Sequence, residues 1–153
     1  MPMLRKAIEE NEGEHSMNEI LEQQLIEIAP IFFEKIHGDP RETCSAFGCD
    51  CDDGWFDVIR DMVKEIEKIN NDLNGSGKIV AIQIKEKFGE LRTYVEIAGD
   101  VPDDVQRKVD LIIETAEERS WATCEHCGAP ATKTTKGWIS RLCDKCFDLR
   151  TKI

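Results

Sequence analysis

Two Cys-x-x-Cys pairs, Cys124-Glu125-His126-Cys127 and Cys143-Asp144-Lys145-Cys146, stand fifteen residues apart and constrain this chain more than any other feature. A tight turn between paired cysteines aims two thiolates at one centre. Two such knuckles supply the four soft ligands of a tetrahedral metal site, most often zinc. Gly128, directly after the first pair, gives the backbone freedom that a knuckle needs. The spacing therefore predicts one structural Zn²⁺ held by Cys124, Cys127, Cys143 and Cys146. Four protein ligands fill the tetrahedron and leave no open position for a reacting water. Rival chemistries fit less well. Neither pair is followed by the His of a haem-attachment motif, and no H-x-E precedes them as in zinc deaminases. A thioredoxin-like redox site would use one pair opening a helix after a strand, not two matched pairs. Two disulfides or free thiols are the remaining alternative.

The wider cysteine count bears on that alternative. The 153-residue chain has 7 cysteines, an odd number that cannot be paired completely within it. No secretory apolar stretch opens the sequence, so the expected compartment is a reducing cytosol, where disulfides are rare. With 41% hydrophobic and 33% charged residues, and no apolar run approaching the roughly 18 residues of a membrane span, collagens, rods, secreted hormones and membrane proteins are excluded. The length suits one domain, or one domain with a small appended module.

Hydrophobic periodicity divides the chain. Residues 1–16 form a charged segment expected to be flexible, and Met17 fits an alternative start. Residues 17–119 are expected to form an acidic α+β domain, and 120–153 the zinc-binding module. A helix is predicted over Asn18–Ile36, capped by Ser16 or Asn18 and kinked or broken at Ala29 by Pro30. A cysteine-bearing loop over Thr43–Gly54 precedes a helix from about Asp53 to Leu73. A hairpin pairs Lys78–Ile84 with Leu91–Ile97 through Gly89, and Pro102 opens a further helix. In that hairpin Leu91, Thr93 and Val95 share one face, with Arg92, Tyr94 and Glu96 on the other. The predicted class is α+β: helices around a small antiparallel β-hairpin or sheet, with a C-terminal Cys₄ treble-clef or zinc-ribbon module. A second hairpin through Thr132–Ile139 and a short helix beginning within the second knuckle favour the treble clef.

Charge separates along the chain. The net value is −11, with −9 in residues 17–77 and +3 in residues 120–153. An acidic body disfavours free nucleic acid, whose affinity rests on phosphate neutralisation, and favours a basic partner or simple solubility. Two contact surfaces follow. Asp50, Asp52, Asp53 and Asp57 form an acidic group that would meet a basic partner. They would serve a metal-dependent hydrolase only with Mg²⁺ or Ca²⁺ and a basic groove, and their segment is the most acidic of all. As ordinary structure they are a solvated loop with one aspartate capping the next helix. Lys85, Lys87 and Arg92 gather as a small basic patch on the hairpin. Cys44, Cys49 and Cys51 have no standard knuckle spacing and are expected to pack as small hydrophobes, a second metal held with His37 or an aspartate being the alternative. His15, His37 and His126 are scattered without a triad partner. Trp55, Trp121 and Trp138 are expected in core or module packing.

Taken together, Asp53-Gly54-Trp55-Phe56-Asp57, Ile84 to Tyr94 with its Lys-Phe-Gly-Glu-Leu-Arg centre, Thr123 to Pro130, Gly137-Trp138-Ile139 and Leu142 to Cys146 resemble a family of small proteins encoded by tailed bacteriophages and prophages. The resemblance spans about residues 20–148. In that family the last ligand can be His, where this chain has Cys146. The family tends to carry a cysteine at the position of Ala46, a departure that argues against a shared second metal site around Cys51. The resemblance implies phage origin and expression in the bacterial host cytoplasm, and it transfers no catalytic residues. The expected function is that of a zinc-containing, non-enzymatic accessory protein. It would bind a basic or nucleic-acid-binding host protein, for example a defence nuclease, through its acidic surface. A zinc-supported nucleic-acid or transcription-machinery adaptor is the alternative.

Overall fold

The computed structural model describes residues 16–36 and 48–151. The expected flexible segment up to residue 15, with His15, lies outside the described residues, as do His37, Cys44 and Ala46. Helix α1 (Glu19–Ile28) starts at Asn18, whose side chain accepts the Ile20 N–H at 2.8 Å. It stops at Ala29 instead of running to Ile36, and residues 30–36 follow as turns. Pro30 supplies no N–H and its ring clashes with the preceding turn, which is why the helix breaks. The Ile31 and Phe32 N–H groups there both donate to the buried carboxylate of Glu67, at 3.0 Å each.

Strand β1 (Cys49–Asp50) leads through a 3₁₀ turn (Asp53–Trp55) into α2 (Phe56–Leu73). Strands β2 (Gly77–Lys87) and β3 (Glu90–Gly99) form the predicted hairpin, longer at both ends than expected. Helix α3 (Asp103–Trp121) begins after Pro102. The C-terminal part adds β4 (Lys133–Thr134), β5 (Arg141–Leu142) and α4 (Asp144–Thr151).

The main sheet has the order β1-β2-β3, and it is mixed rather than purely antiparallel. β1 runs parallel to β2, with Cys49 opposite Ile84 and Asp50 opposite Lys85. Parallel neighbours need a crossover, and α2 supplies it. Part of the expected loop over 43–54 is thus an edge strand. The inward face of α2 is an apolar stripe: Val58, Ile59, Met62, Val63, Ile66 and Ile69 are buried against Ile79, Ala81, Ile84 and Leu91 of the sheet and Val109, Ile112, Ile113 and Ala116 of α3. Each such side chain contributes about 1.5–3 kcal/mol on burial.

Partners occupy the stretch of β2 that the short β1 leaves unpaired and the outer edge of β3. On the β2 edge Asn70 forms a two-way bond to Ile79, donating to its carbonyl at 3.0 Å and accepting its N–H at 2.7 Å. Farther along, the Ala81 N–H donates to Phe32 O. On the β3 edge the Leu91 and Thr93 N–H groups donate to Ser120 Oγ and Glu117 Oε2 of α3. An edge with its donors occupied is a poor template for aggregation.

Replacing Glu67 by Ala would strand two backbone donors in the interior. Urea unfolding is expected to show a loss of about 2–4 kcal/mol. Glu67→Gln, which keeps one acceptor, is expected to lose less.

Candidate metal centre

The first knuckle folds because Gly128, at φ +86°, turns the chain sharply enough for its N–H to reach Cys124 O and for the Cys124 N–H to reach Ala129 O. The second knuckle is the first turn of α4: Cys143 precedes it, Cys146 lies in it, and the Phe147 N–H bonds back to Cys143 O. The β4–β5 hairpin joins the two, pairing Lys133 with Leu142 and Thr134 with Arg141. Its strands sit slightly later than predicted.

The four sulfurs of Cys124, Cys127, Cys143 and Cys146 lie within 4.8 Å of one another, and Cys127 Sγ and Cys143 Sγ are 3.7 Å apart. That is far beyond a disulfide bond, and all four thiols are free. A tetrahedral ion with metal–sulfur bonds of about 2.3 Å would set neighbouring sulfurs about 3.8 Å apart. The four cysteines are therefore placed to hold one metal ion. Cys124 and Cys146 are buried, whereas Cys127 is exposed. The Cys146 N–H, 3.4 Å from Cys143 Sγ, pulls that thiol down from its ordinary value to about 7. One ligand is thereby poised to ionise near neutrality.

The first knuckle is clasped to the body by residues that looked like an acidic loop. The Gly54 N–H donates to Glu125 O at 2.7 Å, the Asp52 N–H to Glu125 Oε2 at 3.2 Å, and the Trp55 indole N–H to Thr123 O at 3.1 Å. Glu125 is buried under this contact. A Cβ on Gly54 would lie 2.3 Å from both Cys124 O and Glu125 O. Only glycine lets the two backbones approach so closely. A second contact joins the tip of the β2–β3 hairpin to the C-terminal part: Gly89 meets Trp121, Ile139 and Arg141. Arg141 lies 4.4 Å from the Trp121 ring and donates to Trp121 O and Thr134 Oγ1.

The other sequence candidates are distributed differently. Asp50 is in β1 and exposed. Asp53 accepts the Asn18 N–H at 2.7 Å, and Asp57 pairs with Arg60 at 3.0 Å. The expected helix-capping aspartate is not seen: neither the 3₁₀ turn nor α2 has a side-chain cap, because Asp53 ties down the start of α1 instead. Lys85 and Arg92 are direct partners across the hairpin, with Lys87 two residues on. Arg92 is already engaged by Glu90, with Glu117 at 3.9 Å, and Lys87 lies over the Phe88 ring. Cys49 and Cys51 are buried, and burial pushes both thiols well up, which marks them as inert packing residues. His126 is exposed within the first knuckle. Trp55 is fully buried in the core and Trp121, though part-exposed, packs against Gly89 and Arg141 as expected, whereas Trp138 is exposed against the packing role expected of it. Nothing in the sequence marks the Gly54–Glu125 clasp, since a glycine needed for its missing side chain looks like any other.

Compared with known protein families, curated proteins and solved structures, the chain matches none.

Two outcomes are expected. Gly54→Ala should destabilise the protein by more than about 3 kcal/mol in urea unfolding, because two carbonyls stand where the methyl must go. Metal retention should fall as pH drops. Cys143 is depressed in the folded state, so its contribution is fully present only above the ordinary thiol range and is lost as pH falls through about 7. Because binding releases thiol protons, affinity should decline more than about tenfold per pH unit below that point, as read by competition with a metal-binding dye.

Proposed function

We propose that this chain is a non-enzymatic interaction protein built around one structural zinc ion in a treble-clef module. The supporting observation is the four-cysteine cluster set between a knuckle, a hairpin and a short helix. Thiolates select soft or borderline ions, and an all-sulfur tetrahedron suits Zn²⁺. Four such ligands leave it no open position. The ion then anchors the knuckle that the body clasps through Gly54, so its role is architectural.

The acidic body is the surface offered to a partner, and a basic protein is its natural complement. The net charge of −11 supports this reading. The exposed Asp50 and Asp53 contribute to that surface, while Asp57 is part-neutralised by Arg60. The resemblance to tailed-phage proteins supports a bacterial host protein as that partner, with inhibition of a defence nuclease as one form the interaction takes.

Elemental analysis of protein purified without chelator is expected to give about one zinc per chain, with Cys143→Ser losing the ion and the order of the C-terminal module. Metal-free wild-type protein that is fully folded would contradict the zinc reading. Capture of a basic protein from bacterial lysate should survive nuclease treatment and weaken steeply between 50 and 500 mM salt, roughly the range over which exposed charges become screened. Capture that ignores salt would contradict the acidic surface as the contact.

A further inference from the structure

The tip of the β2–β3 hairpin and the β4–β5 turn meet in an open groove of about 170 Å³ lined by Glu86, Lys87, Phe88, Gly137, Trp138 and Ile139. We propose that this groove binds single-stranded nucleic acid, taking a base between its aromatic side chains and the adjoining phosphates on its lysines. This face differs from the acidic surface discussed above: in its lining Lys87 is offset by Glu86, and the adjoining 129–142 segment is basic. Residues 129–142 carry no carboxylate; of their cations Lys133 lies over the Phe147 ring and Arg141 over Trp121, while Lys136 adjoins the lining residue Gly137 and Lys87 lines the groove from the hairpin side. The expectation against nucleic acid rested on the net charge of the chain, which this face does not share.

Three observations converge on it. Phe88 is 68% exposed and Trp138 58% exposed, two large rings in solvent on neighbouring turns. Phe88 also holds φ +54° at the first turn position, where Asn, Asp or Gly is the ordinary choice. A bulky residue in the left-handed region costs conformational energy, and with its ring two-thirds exposed under Lys87 little burial offsets it. Both turns are fixed before any ligand arrives. The Gly89 N–H donates to Glu86 Oε2 at 2.8 Å, and Gly89 packs on Ile139, Trp121 and Arg141. On the other side, the Thr135 N–H donates to Ser140 O, the Ser140 N–H to Thr135 Oγ1, and the Thr135 hydroxyl to Trp138 O.

Rigid exposed rings among cations form the sequence-tolerant platform on which bases stack while phosphates are neutralised. An acidic peptide would satisfy the cations but has no flat ring for each charge. A nucleotide supplies both, which is why the occupant is assigned as nucleic acid.

The test is fluorescence anisotropy of labelled oligo(dT) and oligo(U) 12-mers titrated with the zinc-loaded full chain at about 50 mM salt. A labelled poly-glutamate peptide of matched charge serves as a parallel probe. Saturable binding of at least one oligonucleotide is expected, with quenching of tryptophan emission. Phe88→Ala and Trp138→Ala should each weaken it about 5- to 100-fold. Lys136→Gln should reduce the slope of log affinity against log salt by about 0.7. Zinc content and the urea midpoint should stay at wild-type values, since both rings are exposed. Three results would overturn the proposal: no oligonucleotide binding at tens of micromolar protein, unchanged binding by the Phe88→Ala/Trp138→Ala double variant, or binding of the peptide in preference to both oligonucleotides.

Discussion

At Gly54 two backbones come so close that the Gly54 N–H bonds directly to Glu125 O at 2.7 Å and no side chain fits between them. This approach determines how the four-cysteine cluster relates to everything else. The carbonyl that accepts the bond belongs to the residue between Cys124 and Cys127 in chain order. Whatever holds the two thiols therefore also positions the acceptor. The Asp52 N–H and the Trp55 indole reach the same knuckle, so three donors from one short turn converge on residues 123–125. Because Trp55 is buried in the main core, an ion in the cluster would stabilise the body as well as the short C-terminal elements.

The same economy governs the carboxylates. In a chain with 31 acidic residues most are solvated, yet Glu22, Glu67 and Glu125 are buried and accept backbone N–H groups. Each serves a place where regular structure stops: Glu67 the break at Pro30, Glu22 the start of β1 at Cys49, Glu125 the turn before α2. Buried polar backbone needs partners wherever a helix or sheet ladder ends, and a charged acceptor makes a stronger bond than a neutral one. Glu117 does the same for the β3 edge. Burial raises its carboxyl, and the Thr93 N–H and then Arg92 oppose that shift.

What was legible in the sequence was whatever is local. The cysteine knuckles, the Asn18 cap, the stripe of α2 and the alternation of Leu91, Thr93 and Arg92 all depend on neighbours a few residues apart. The pairing of β1 with β2 was hidden because two residues carry no periodicity. The break after α1 was legible as a kink or break at Pro30, but not the partner that makes it tolerable. Glu67 looks like any charge on an amphipathic helix, and its acceptors' donors come from 35 and 36 residues earlier. The clasp was least visible of all. Asp52 and Glu125 are 73 residues apart, and a glycine selected for lack of a side chain gives no positive signal. The aspartates of that turn were grouped by sequence proximity, whereas folding sends Asp53 to α1 and Asp57 to Arg60.

The central claim is that an ion in the cluster holds the knuckle on which the body is clasped. Amide hydrogen exchange at Gly54, compared between zinc-loaded and chelated protein, tests it most directly. The account predicts slow exchange at Gly54 with zinc bound, and faster exchange there together with the Cys124 and Glu125 amides once the ion is removed. Equal protection of Gly54 in both states would show that the clasp stands without the metal, and would contradict the account.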